Sequence, residues 1–265
     1  AGAAASRLTN LAVRSFAGTG ERALIAGFVT RGTGSKALAI RGVGPALLTY
    51  GVTGVLDDPN LELNRSSDGL QVAANDNWSV NDGSTYGGFP LTAGSKDAVI
   101  VSQLTAGGYT AQVKGAGNTT GNALVEVYDA AATNTAVSFV NLSARTQLDA
   151  GQILIAGVSV SAGANKSLLI RAVGPKLADF GVGGVLGDPK IEVYNSTGVK
   201  IMENDNWGGT PALTAAAASV GAFALEAAGK DAALALTLPA GGYTVQVSGA
   251  AGTAGVVLVE VYELP

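Results

Sequence analysis

The chain has 265 residues, 14% of them charged, with a net charge of −4 and no histidine or cysteine. This composition excludes disulfide and thiolate chemistry, imidazole acid–base catalysis, and the basic clusters that phosphate contacts of nucleic acid need. No apolar run reaches the roughly 18 residues of a membrane-spanning helix.

Glycine, at 38 residues, is about twice its usual share of roughly 7%. A surface short of charge and rich in Ser, Thr, Asn, Gly and Ala is inexpensive to desolvate and suits contact with copies of itself. The opening AGAAAS resembles the small, neutral start left by signal-peptide cleavage, so the chain is expected outside the cell or at its surface.

In chain order, LTNLAVR (8–14) alternates apolar and polar residues and reads as a strand, as does LIAGF (24–28). ALAIRGVGP (37–45) is an apolar run broken by Gly-Pro, with Arg41 inside it. DDP (57–59) is a turn, LELNRSSDGLQVAANDNW (61–78) a strand, turn and strand, and NDN an Asx turn tipped by Trp78. KDAVIVSQLTAGGYTAQV (96–113) and LVEVY (124–128) supply further strands, with Glu126 set between two valines.

The same series then begins again. FVNLSAR (139–145), LIAGV (154–158), SLLIRAVGP (167–175), NDNW (204–207), GGYTVQV (241–247) and LVEVY (258–262) follow in the same order. The chain is therefore read as two copies of one domain, 1–131 and 132–265. Turn residues every 8 to 15 positions or so predict two tandem antiparallel β-sandwiches, all-β in class. The Ala-rich stretch 211–229 stands where the first copy has YGGFPLTAGS, and is expected to be a loop or short helical turn.

On the segments 61–78 with 191–207, and 96–113 with 230–247, each copy resembles the bacterial pre-peptidase C-terminal (PPC-like) domains. That resemblance implies a secreted jelly-roll-like sandwich with an accessory, non-catalytic role. The segments RLTNLAVR and IRGVGP lie outside the likeness.

Three candidate sites follow. Asp58, Asp76, Asp188 and Asp205 lie in turns that repeat between copies and are the carboxylates available to calcium, which takes six to eight oxygen ligands. A structural turn is the competing and favoured reading of NDNW, and sugar stacking on Trp78 or Trp207 is a further possibility, with glycans as ligands. Arg41 and Arg171 in apolar strands require an anionic partner; Glu62 or Glu192, or Asp58 or Asp188, are the expected ones. No recurrent carboxylate pair points to catalysis, and no enzyme is expected. Six N-x-S/T sequons, at Asn64, Asn77, Asn118, Asn141, Asn165 and Asn195, are what a Ser/Thr/Asn-rich chain yields by chance.

The seam gives the third site. Tyr128 lies 13 residues before Asn141. Placing a second molecule after Pro265 puts its Asn10 13 residues beyond Tyr262. The register points either to a longer tandem array or to subunits joined head to tail, a heterologous contact that builds open filaments unless it closes. The N-terminal stretch with Arg7, Leu8, Thr9, Asn10 and Leu11 is one candidate strand donor, and the C-terminal stretch with Val259, Val261 and Leu264 the other. The expected role is a subunit of an extracellular filament, with copies of itself as partners. An adhesion or carbohydrate-binding module is the alternative.

Overall fold

A computed structural model describes residues 6–80, 86–131 and 133–265. It is all-β, with fourteen strands among the described residues and antiparallel ladders throughout. No helix among those residues is long and apolar enough to cross a membrane.

Two compact units divide the chain. The first is Thr9–Val140; the second is Asn141–Pro265 together with the N-terminal segment ending at Leu8. The sequence places its boundary near residue 131, where one copy ends. The compact units differ because the opening strand of each copy begins in the other unit.

The first unit holds β1 (Leu8–Ala17), β2 (Leu24–Val43), β3 (Pro59–Arg65), β4 (Gln71–Asn75), β5 (Ala98–Gly115) and β6 (Gly121–Asp129). Strands β2 and β5 are long, pair along their whole length, and break register between Thr30 and Ser35. Before the break they join β3 and β4, in the order β2-β5-β3-β4. After it they join β6 and β1, in the order β1-β6-β2-β5. Two four-stranded sheets result, and they face each other. A Cβ on Gly42, in one sheet, would meet Val113 Cγ2 at 3.0 Å and Leu61 Cβ at 3.3 Å, both in the other.

The core follows from the alternation. Leu61 and Leu63, Ala111 and Val113, and Val13 with Val125 and Val127 are buried at every second position. Each such Val or Leu contributes about 1.5–3 kcal/mol on burial. Phe28 stacks on Tyr109 at 5.6 Å and meets Phe139 edge-on at 6.1 Å.

The second unit repeats the plan with β7 (Val137–Leu148), β8 (Leu154–Val160), β9 (Lys166–Val173), β10 (Pro189–Asn195), β11 (Lys200–Asn204), β12 (Ala232–Leu238), β13 (Gly241–Gly249) and β14 (Gly255–Glu263). Its sheets run β8-β13-β10-β11 and β7-β14-β9-β12. Where β5 is continuous, β12 and β13 are separate. Pro239 stands at the break, in the place of Thr105, and its missing N–H cannot serve a ladder.

The Ala-rich stretch forms a real helix, α1 (Pro211–Ser219), against the expectation of a loop or single turn. Thr210 caps it by accepting from Leu213 N, and Pro211 sits at its first position, where the absent N–H costs nothing.

One glycine pair is fixed by close approach. A Cβ on Gly44 or on Gly174 would stand 1.9 Å from the carbonyl oxygen of Leu56 or Leu186. The GP bend in each copy therefore admits only glycine.

Candidate functional site

Each unit is organised around its buried arginine. Arg171 is wholly buried on β9, directly across from Glu260 on β14. Its Nε lies 3.1 Å from Glu260 Oε2, close enough for an ion pair but outside hydrogen-bond alignment. Its Nη1 donates to the Phe223 carbonyl at 2.7 Å, and the guanidinium lies 4.3 Å over the Phe223 ring. Tyr262 donates its hydroxyl to Glu260 Oε1 at 2.6 Å.

Arg41 repeats this on β2. Glu126 lies across on β6, with Oε2 3.4 Å from Arg41 Nε, Phe89 takes the place of Phe223, and Tyr128 that of Tyr262. Burial raises the pKa of both glutamates, opposed in each case by the neighbouring arginine and tyrosine. Burial first, then the adjacent carboxylate, also raises both tyrosines.

These partners correct the sequence expectation. Glu62 instead takes Lys114, Glu192 takes Lys190 and Lys200, and Asp58 and Asp188 take Lys96 and Lys230. The signal that could have found the true partner is the glutamate at the centre of both LVEVY segments. An acid flanked by valines in a repeated strand calls for a buried cation.

The NDNW turns are structural. Asn75 Nδ2 donates to the Asn77 carbonyl, and its Oδ1 accepts Val99 N. Asn204 does the same with Asn206 and Ala233. Both tryptophans are anchored rather than presented. Trp207 is only 7% exposed and donates its indole N–H to the Glu226 carbonyl at 2.8 Å. Trp78 is half-buried and donates to Ser95 Oγ at 3.0 Å.

Beneath them lies a residue pair that the sequence reading passed over. Asp97 and Asp231 are buried, and each Oδ1 accepts two backbone N–H groups of the Gly-Pro bend: Gly44 and Ala46, or Gly174 and Lys176. Asp97 Oδ2 also accepts the Ser95 hydroxyl at 2.6 Å. In the second copy Gly229 stands in that serine's place, and Asp231 Oδ2 has no hydrogen-bond partner. Burial raises Asp231's pKa against the lowering effect of the two N–H groups.

The four calcium candidates do gather in twos, but around a lysine. Lys96 Nζ lies 2.5 Å from Asp58 Oδ2, with Asp57 and Asp76 close enough to raise its pKa further. Lys230 Nζ lies 2.6 Å from Asp188 Oδ2, with Asp205 acting in the same sense. The ammonium fills the cationic position, and no group of three or more metal-ligating side chains occurs among the described residues.

The assembly candidates separate. Val259 and Val261 lie on β14, which is paired on both edges with β7 and β9, and Leu264 N donates to Ser167 O. The C-terminal stretch is thus interior to its sheet and has no free edge to offer. Asn10 and Leu11 pair with Tyr128 and Val127 in the first unit, and Thr9 opens that unit. Arg7 and Leu8 belong to the second. There Ser161 N donates to the Arg7 carbonyl at 2.9 Å and Arg7 N to Ser161 Oγ at 2.9 Å, at the end of β8. The residues preceding Ser6 lie outside those described.

A cavity of about 260 Å³ lies in the second unit beneath α1, walled by Trp207, Leu213, Ala217, Ala222 and Leu225, with Arg171 in its lining.

No family model matches the chain, and no curated protein matches it. Among solved structures, a fucolectin from striped bass (Morone saxatilis) serum is similar at 8% identity and a TM-score of 0.22, over 95% of this chain and 85% of that one. Vicilin from hazelnut (Corylus avellana) is similar at 9% identity and a TM-score of 0.20, over 96% and 74%.

Proposed function

We propose that the chain is a structural subunit of an extracellular filament or surface fibre, joined head to tail by exchange of its N-terminal strand. Each unit is taken as a jelly roll. With the strands of a copy counted one to eight from β1 or β7, the sheets run 1-8-3-6 and 2-7-4-5, an order of two Greek keys.

One observation carries the proposal. In the first unit the edge beside β2 is filled by the segment that leads into the next copy: Thr33 N donates to Ala136 O, and buried Lys36 donates to the carbonyls of Asn134 and Val137. In the second unit the equivalent edge, beside β8, is filled by Ser6–Leu8. By the alignment of Asn10 with Asn141, these three residues correspond to Val137–Phe139. Each edge therefore takes the strand that opens a copy. For the second unit the following copy is the next molecule, and Ser6–Leu8 of the same chain is its stand-in. Identical contacts made within or between molecules are the condition for domain swapping. The low-charge surface supports the same reading.

The chain has no cysteine, so a double variant Arg7→Cys/Ser161→Cys can form only one disulfide within a chain, and peptide mapping identifies the link between positions 7 and 161 of different chains. Oxidised after concentration, it gives a ladder of covalent multimers on a denaturing gel if the strand is exchanged, and filaments in negative-stain electron microscopy. In the chain without added cysteines, removal of residues 1–8 abolishes the filaments. Oxidation to monomer alone at every concentration, with single particles throughout, overturns the proposal and favours a binding module.

A further inference from the structure

We infer that Lys166 is the receiving point for the opening strand of the next molecule, its ammonium donating to two main-chain carbonyl groups of that strand. The inference rests on the filament reading and names the side chain that holds the junction. It starts from the counterpart in the first unit. Lys36 and Lys166 occupy the same place in the two copies, each five residues before the buried arginine. Each meets the acid three residues after the buried glutamate: Asp129 for Lys36 at 2.7 Å, and Glu263 for Lys166 at 2.6 Å.

An ammonium has three donors. Lys36 uses all of them: on Asp129, on the Asn134 carbonyl at 2.6 Å and on the Val137 carbonyl at 2.9 Å. Its side chain is 2% exposed, as is that of Asp129. Among the described residues Lys166 gives one bond only, to Glu263. Its side chain is 15% exposed and that of Glu263 21%. The segment that carries Asn134 and Val137 covers the first pair, so the second pair is the same site less fully covered. Ser6–Leu8 of the same chain meets this edge at Ser161 and takes no bond from Lys166.

Register and chemistry select the occupant. Asn134 and Val137 lie 6 and 9 residues beyond Tyr128, and the same steps beyond Tyr262 reach residues 3 and 6 of a molecule placed after Pro265. Both acceptors in the first unit are main-chain carbonyls, so the contact depends on register and not on the side chains, which differ between the two segments. The lysine–glutamate pair is neutral, and carbonyl oxygens serve its remaining donors without bringing in a further charge to desolvate. The ladder at Ser161 is common to the strand of the same chain and that of a neighbour, so it favours neither. Bonds at Lys166 that only the neighbour's strand makes are the differential contact that shifts the balance toward exchange.

Lysine acetylation read by peptide mass spectrometry tests this on the full chain, with monomers and multimers separated by size exclusion and labelled alike. Lys36 is the covered reference and Lys96, 59% exposed, the open one. Lys166 is expected to react faster than Lys36 in monomers and at the rate of Lys36 in multimers. The double variant Lys166→Met/Glu263→Leu, which leaves neither charge alone, is expected to need about tenfold more protein to form multimers, while its monomers unfold close to the parent's temperature. Multimers in which Lys166 reacts as fast as in monomers overturn the inference and leave the filament reading standing. An unmoved threshold in the double variant does the same. Lys166 as slow as Lys36 in monomers assigns the cover to the N-terminal segment of the same chain and overturns the exchange contact. Absence of multimers at every concentration overturns the filament reading itself, and this contact with it.

Discussion

The two units are one design carried out twice, and they differ where the second copy has lost an anchor or gained a wall. In the first, Asp97 is served on both oxygens: by two backbone N–H groups of the Gly-Pro bend and by Ser95, which also holds Trp78. In the second, Gly229 removes the hydroxyl, and Trp207 is held by the Glu226 carbonyl, the counterpart of the Thr92 carbonyl that Trp78 also reaches at 3.3 Å. The second copy carries α1, and the cavity lies beneath that helix. The Arg–Glu–Tyr–Phe cluster and the Asx turns are the same in both. The strand framework and its buried ion pair thus form the invariant part of the design, and the loops laid over the arginine form the variable part.

Each unit holds one of the two tryptophans, so Trp78→Phe and Trp207→Phe backgrounds let the unfolding of either unit be followed by fluorescence alone. The largest effect is expected from breaking the shared framework. Arg171→Met leaves Glu260 buried without its cation and costs about 3–5 kcal/mol in the Trp207 transition. Arg41→Met costs a similar amount in the Trp78 transition. Pairing Arg171→Met with Glu260→Leu recovers most of the loss. A loss seen equally by both tryptophans would contradict the assignment of one cluster to each unit.

The next effect exchanges the difference between the units. Ser95→Ala strips Asp97 Oδ2 and Trp78 Nε1 of a partner and costs about 1–3 kcal/mol. Gly229→Ser restores a hydroxyl beside Asp231 Oδ2, which a Cβ at that position approaches to 3.4 Å, provided the Glu226 carbonyl oxygen, 3.0 Å from that Cβ, gives by a few tenths of an ångström. It should gain about 0.5–1.5 kcal/mol, seen as a raised urea midpoint for Trp207 only.

A smaller effect concerns pH. Glu126 in the first unit, and Glu260 and Asp231 in the second, have folded pKa values above their ordinary 4.5 and 3.8. The folded unit therefore holds protons that the unfolded chain has released. Stability is full below the ordinary values and declines as pH rises through the folded ones. With two such groups against one, the second unit should lose more stability than the first as pH rises above the ordinary values of 3.8 and 4.5 and through the folded ones, and Asp231→Asn should bring the two slopes together. Glu192 works in the opposite sense and lower window. Its lysine neighbours, Lys200 foremost, hold it down to about 2, so its contribution is complete above its ordinary value and lost as pH falls toward 2.

The smallest effect is expected at the surface. Lys96→Ala and Lys230→Ala each remove an exposed cation from a partly covered aspartate, and both midpoints should fall by less than Ser95→Ala lowers its own. Added calcium should leave them unmoved. A calcium-dependent rise in either midpoint would show that the aspartates accept the ion despite the lysine.

Much of this was readable from the sequence because it is written twice. Repeated alternation marked the strands, the repeated NDN marked the Asx turns, and the repeated Gly before Pro marked a bend that no side chain fits. Cross-strand partnership was not readable. Arg41 and Glu126 are far apart in sequence, and alternation states which face a residue takes without stating its neighbour. Asp97 and Asp231 follow a lysine and read as surface charge; only the bend above them shows that they are buried caps. Helix α1 was hidden by alanines with no apolar stripe, although Thr210 and Pro211 are an ordinary helix start. The boundary was displaced because a repeat in sequence marks where a pattern restarts, whereas a unit in space ends where its last edge is covered.

The buried ion pair also constrains how such a repeat can change over generations. From the present sequence, every single step at Arg41, Glu126, Arg171 or Glu260 passes through a crippled intermediate, so departure requires two changes together. A duplicated gene explores single steps first. Its copies can therefore trade serine for glycine, threonine for proline, or a loop for a helix, while the four charged residues stay locked in both. Residues of this kind are the markers by which further copies of the domain would be recognised after the rest of the sequence has drifted.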